Sequence, residues 1–110
     1  MDPFPSWLQD LPEGDLPYKG PEGWLIASPH GQVVFLRNAE EVEVPPHTHG
    51  GEWGVVLTGR AHYTVNGETK TYGAGETYEI PSGAEHSILS EAGTSIVVVF
   101  QEPDRHTPKE

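Results

Sequence analysis

The stretch Pro46-His47-Thr48-His49-Gly50-Gly51-Glu52-Trp53-Gly54-Val55-Val56-Leu57-Thr58-Gly59 decides the reading of this chain. His47 and His49 are one residue apart, which in an extended strand puts both imidazoles on one side, roughly 7 Å apart along the backbone. Two such rings can converge on one ion held about 2.0–2.2 Å from each donor atom, provided a distant strand closes the site. Pro45 and Pro46 stiffen the entry to the pair. Past the two glycines, Trp53 to Leu57 is apolar at nearly every position, so neither face of that strand can be left to water. A barrel interior takes one face, and an N-terminal arm or a second subunit must cover the other. Ser95 to Phe100 reads the same way.

Working outward, β-rich runs broken by turn residues are expected over 32–37, 41–44, 53–57, 60–65, 68–72, 77–80, 86–89 and 95–101. Asn66-Gly67 between two of them is the dipeptide that a two-residue type I′ hairpin requires. Residues 1–23 hold Pro3, Pro5, Pro12, Pro17 and Pro21 and read as an extended arm. Trp7, Leu8, Leu11, Leu16 and Tyr18 give that arm groups to bury on a sheet, and a turn of helix fits around Ser6 to Asp10. The expected organisation is arm 1–23, all-β antiparallel barrel 24–102, and a polar tail 103–110, frayed at its end.

Composition narrows the partners. Seventeen acidic against six basic residues give a formal charge of −11, with no Lys/Arg cluster to neutralise phosphates, so nucleic acid and anionic membrane are excluded as partners. The absence of cysteine rules out disulfides, thiolate ligands and a cysteine nucleophile. No basic segment followed by an apolar run opens the chain and no long apolar stretch follows, so a cytoplasmic protein is expected. At 110 residues one hydrophobic core is the natural count.

A second stretch completes the argument. Gly75-Glu76-Thr77-Tyr78-Glu79-Ile80-Pro81-Ser82-Gly83-Ala84-Glu85-His86 resembles the second motif of the cupin superfamily: glycine, five residues, Pro-x-Gly, two residues, histidine. Residues 46–59 resemble the first motif, with its His-x-His pair, a glutamate, six residues and a glycine. The resemblance implies a jelly-roll barrel and one divalent metal ion per chain on His47, His49, Glu52 and His86. Three imidazoles and a carboxylate suit Fe, Mn, Ni, Cu or Zn, with positions left open for a small-molecule substrate or ligand. The motifs depart from the family pattern in three places. Glu41 stands where the pattern opens on glycine, Ser90 where it closes on Asn, and only two residues separate His49 from Glu52 where three or four are commoner. In a regular strand the short spacer would turn Glu52 away from His49, and a positive-φ bulge at Gly50-Gly51 is the expected remedy.

Tyr78 shares a face with Ile80 and is expected inside, as core or as a catalytic group that orients a ligand or donates a proton. Val56, Tyr63, Val65, Phe35 and Phe100 are candidate pocket walls. Period-2 patterning turns Ala61 and Tyr63 inward and His62 outward, while His30 and His106 are expected in solvent. The resemblance implies either a metal-dependent enzyme on a small polar metabolite (dioxygenase, isomerase or lyase type) or a non-enzymatic metal- or ligand-binding, sensory module. The uncovered apolar strand face and the apolar arm together predict a homodimer.

Overall fold

Short β-branched and aromatic runs separated by glycine and proline become eleven strands in the computed structural model, which describes residues 2–109. They are β1 (Gly14–Asp15), β2 (Pro21–Ser28), β3 (Gly31–Asn38), β4 (Val42–His47), β5 (Glu52–Thr58), β6 (Arg60–Val65), β7 (Glu68–Gly73), β8 (Thr77–Ile80), β9 (His86–Ser90), β10 (Thr94–Phe100) and β11 (Thr107–Pro108). All pair antiparallel, in a five-stranded sheet β2-β3-β10-β5-β8, a four-stranded sheet β4-β9-β6-β7 and a small pair β1-β11. All eight expected runs are present as strands. The turn between β6 and β7 has φ 49° at Asn66 and 83° at Gly67, as type I′ geometry demands. Among the described residues no helix is long and apolar enough to cross a membrane.

The two larger sheets close on a core of Leu25, Val34, Val56, Ala61, Tyr63, Tyr78, Ile80, Ile96, Val98 and Phe100. Alternation places these side chains: in β5, Gly54 and Val56 face in while Trp53 and Leu57 face out, and in β6 Ala61 and Tyr63 face in around His62. Beneath Tyr78 the alternation demands a glycine, because a Cβ on Gly54 would lie 2.4 Å from the Tyr78 ring.

Three departures from the sequence reading bear on the site. First, β2 was not expected as a strand. Its Trp24 faces outward and forms a second core with Phe4 and Leu8 of the arm, against Phe35 and Val97. Phe35 therefore belongs to the outer face and is no pocket wall. Second, Trp7 is 70% exposed, and the arm spends Phe4 and Leu8 on its own sheet instead. Pro12 O accepts from Leu25 N at 2.8 Å, so the arm also shields the β2 edge. Third, the described part of the tail is pinned. β11 pairs with β1, and buried Gln32 clasps the segment by donating to His106 O (2.7 Å) and accepting from His106 N (3.0 Å).

Candidate metal centre

Val42 and Val44 of β4 face the core, so a regular strand would turn Pro46 inward and His47 out. The register prevents this. Val44 pairs with Ile88 and His47 with His86, so three steps along β4 match two along β9. The extra residue is a bulge at Pro45-Pro46, on an edge strand where missing N–H groups cost no ladder bond. It reverses the parity and brings His47, then His49, to the interior.

Chain parity is broken again before Glu52, though not by the expected means. Neither Gly50 nor Gly51 has a positive φ. Residues 48–51 leave the ladder altogether, and β5 restarts at Glu52 with its carboxylate inside, 6% exposed. The C-terminal segment holds this loop: Gly50 N donates to Glu102 Oε1 (2.8 Å), Gly51 N to Gln101 Oε1 (3.0 Å), and Gln101 N to Gly51 O (2.8 Å).

His86 opens β9, the strand beside β4 in the same sheet, and is 1% exposed; one ring nitrogen from each of His47, His49 and His86 lies within 4.8 Å of the others. Each Nδ1 faces a carbonyl oxygen: His47 to Pro45 O (2.8 Å), His49 to Gly50 O (2.7 Å) and His86 to Ala84 O (2.9 Å). A carbonyl only accepts, so every Nδ1 carries a proton, and Nε2 is left in each ring as the atom that can meet an ion once it is deprotonated. Nε2 of His49 and of His86 is buried without a hydrogen-bond partner. Three donors held about 2.1 Å from one ion lie about 3.0–3.6 Å apart, so ring nitrogens now up to 4.8 Å apart must draw together by about 1 Å when an ion binds. The donor set fits a divalent cation.

Glu52 sits at the edge of this triad, its Oε1 3.2 Å from His49 Nε2 and 3.7 Å from His86 Nε2. Its Oε2 accepts from the Tyr78 hydroxyl at 2.5 Å, and the Tyr78 ring stacks on Tyr63 at 4.1 Å. The carboxylate beside His49 raises that imidazole's pKa against the effect of burial, whereas burial lowers His86. Burial drives the hydroxyls of Tyr63 and Tyr78 well above the ordinary tyrosine range. Tyr78 is thus inside as expected, with its hydroxyl committed to Glu52.

Above the triad opens a narrow pocket, about 580 Å³ counting its mouth, walled by Leu36, Val44, Ile88, Ile96, Val98 and Phe100. Tyr18, Arg105 and His106 also line it, three residues that no motif in the sequence marks as part of a site. His106, expected in solvent, is 4% exposed with its ring 5.5 Å from that of Phe100, and burial beside Arg105 depresses its pKa to about 4. His62 does face outward, between Thr71 Oγ1 (2.7 Å) and Glu91 Oε2 (2.6 Å). His30 is exposed in the turn before β3.

Comparison with known proteins agrees with this fold. The cupin domain family matches residues 33–100, more than half of the chain. The chain is a cupin. Among solved structures, this cupin is similar to an RmlC-like cupin from Shewanella frigidimarina, with TM-score 0.74 and 21% identity over 86% of each chain. KdgF from a Halomonas species superposes with TM-score 0.70 at 18% identity, covering 83% of this chain and 87% of that one. Oxalate decarboxylase of Bacillus subtilis, whose Mn(II) centres have been studied, superposes with TM-score 0.74 at 24% identity, over 91% of this chain and 30% of that one. At these identities the likeness establishes the jelly-roll fold alone. A curated relative, mannose-1-phosphate guanylyltransferase of Salmonella typhimurium, is 38% identical over 55 residues, half of this cupin, which spans 12% of that protein's length.

Proposed function

We propose that this cupin binds one divalent metal ion per chain on His47, His49 and His86 with Glu52 as fourth ligand, and uses it as an enzyme on a small polar metabolite. The observation that carries the reading is the set of three Nδ1–carbonyl bonds, which leaves Nε2 of each ring for an ion, with the Nε2 of His49 and His86 buried and without a hydrogen-bond partner. Such orienting bonds are the usual support of histidine ligands. A bound ion there would act as Lewis acid or redox centre at the floor of the pocket, in reactions of the dioxygenase, isomerase or lyase kind. Tyr78 serves as a positioning residue, holding Glu52 through its hydroxyl.

That same Tyr78–Glu52 bond favours the second reading, a non-catalytic binding or sensory module, since it leaves Tyr78 no free proton to give a ligand. Two further features belong to the proposal. The ion is of the Fe, Mn, Ni, Cu or Zn type, and the chain pairs with a second copy through the outer face of the five-stranded sheet. Ile26, Val33, Val99 and Trp53 form one cross-strand row there, with Ile26 48%, Val99 38% and Trp53 44% exposed.

Elemental analysis of protein purified without a metal-affinity tag tests the site. About one ion per chain is expected, with His86→Ala and His47→Ala each cutting occupancy more than about tenfold. Parent-like metal content in the His86 variant would refute the assignment.

A further inference from the structure

We infer that the pocket above the three histidines takes a small organic carboxylate, and that Arg105 is the residue that holds its carboxylate group. The inference deepens the proposed function and rests on its placing of the ligand in that pocket.

Arg105 lines the pocket, and its Nε is buried without a hydrogen-bond partner. Among the described residues no carboxylate lies within ion-pair distance of its guanidinium, although the chain carries 17 acids to 6 bases. The other arginines are satisfied: Arg37 pairs with Asp2 and Glu22, and Arg60 with Glu91. A guanidinium stays charged at any relevant pH, and leaving it half-buried and unpaired is costly unless a ligand completes it.

The segment around Arg105 is held firmly enough to serve a ligand. Its Cζ lies 5.7 Å from the centroid of Phe100, whose ring also meets those of His49 and His106 at 5.5 Å. The Gln32 clasp secures the next residue. Glu52 is not the missing partner, since its Oε2 already accepts from Tyr78 and its Oε1 faces His49 and His86.

The fork of Arg105 matches the two oxygens of a carboxylate. No other lysine or arginine lines the pocket among the described residues, which suits one negative charge better than a phosphoryl dianion. The aliphatic wall of Leu36, Val44, Ile88, Ile96 and Val98 suits a ligand with a short carbon body.

The test titrates the full chain, with and without manganese, with glycolate, lactate and 2-oxobutyrate, with glycolamide and lactamide as neutral counterparts, and with inorganic phosphate. At least one acid is expected to bind, its amide more than about tenfold more weakly. Arg105→Gln should weaken acid binding by about tenfold to a hundredfold while metal content stays at the parent level, and Arg105→Lys should fall between. Equal binding of acid and amide, parent-like acid affinity in Arg105→Gln, tighter binding of phosphate than of any acid, or no acid binding would each overturn the inference. Should Arg105→Gln fail to fold, the comparison of acid with amide on the parent decides. Arg105-dependent acid binding by a chain that takes up no metal would uphold this inference and reject the metal reading alone.

Discussion

At the scale of single residues, the site divides into side chains whose position follows from local sequence and others whose position does not. His47, His49 and His86 were legible because motif spacing is a short-range property, and so was the inward turn of Tyr78. Arg105 and His106 were not, since polar surroundings in sequence say nothing about a clasp made by Gln32, 74 residues away from His106. Ser90 is a smaller instance. It stands where the family motif closes on Asn, and the amide it lacks comes from Asn38, whose Oδ1 accepts the Ser90 hydroxyl at 2.9 Å. Burial of His106 has a measurable result. Its pKa falls from the usual 6.5 to about 4, so the native state binds fewer protons than the unfolded chain between those values. Its contribution to stability is complete above pH 6.5 and is lost as the pH falls through 4, a change on the order of 3 kcal/mol at most. His106→Phe, which keeps the packing on Phe100, should show a shallower loss of melting temperature between pH 7 and pH 4.5. Parallel curves for variant and parent would show that His106 titrates normally in the fold.

Among the elements, β4 and β5 show what alternation can and cannot predict. The inward faces of β5 and β6 followed directly from period-2 patterning. The parity of the candidate ligands did not, because it is set by irregularities: the Pro45-Pro46 bulge before His47 and the break over residues 48–51 before Glu52. A reading that carries one strand through both must place Glu52 outward or invoke positive φ, and the loop uses neither. β2 was missed because Pro21, Gly23 and the arm's character masked a strand whose two faces are both buried, one on each core. Gly54 offers a test of the packing that carries Tyr78. A methyl group there meets the tyrosine ring at 2.4 Å, so Gly54→Ala should destabilise the protein by about 2–3 kcal/mol and loosen Glu52 with it. Chemical denaturation measures the first effect and metal affinity the second. A variant with unchanged midpoint would mean that the ring can shift without cost.

Taken whole, the molecule is a barrel whose described terminal segments cross over one of its sheets and its mouth. The apolar outer face of the five-stranded sheet needs a cover, and the arm supplies one over Trp24, Phe35 and Val97. It stops short of the row through Val99 and Trp53. A second copy seated on that row would make Trp53→Glu sediment as a monomer under conditions where the parent is a dimer, with little change in metal content. A monomeric parent would remove the need for the partner. The clasp on the C-terminal segment has its own consequence, for protease resistance. The Arg105–His106 peptide bond is the kind that trypsin cuts, yet its amide and the following carbonyl are bound to the side chain of Gln32, which is 2% exposed. Cleavage there requires the clasp to open, so the rate of nicking reads out how often the pocket loses its rim. Gln32→Ala should turn a slow cut into a fast one, and a ligand that engages Arg105 should slow it again in the parent.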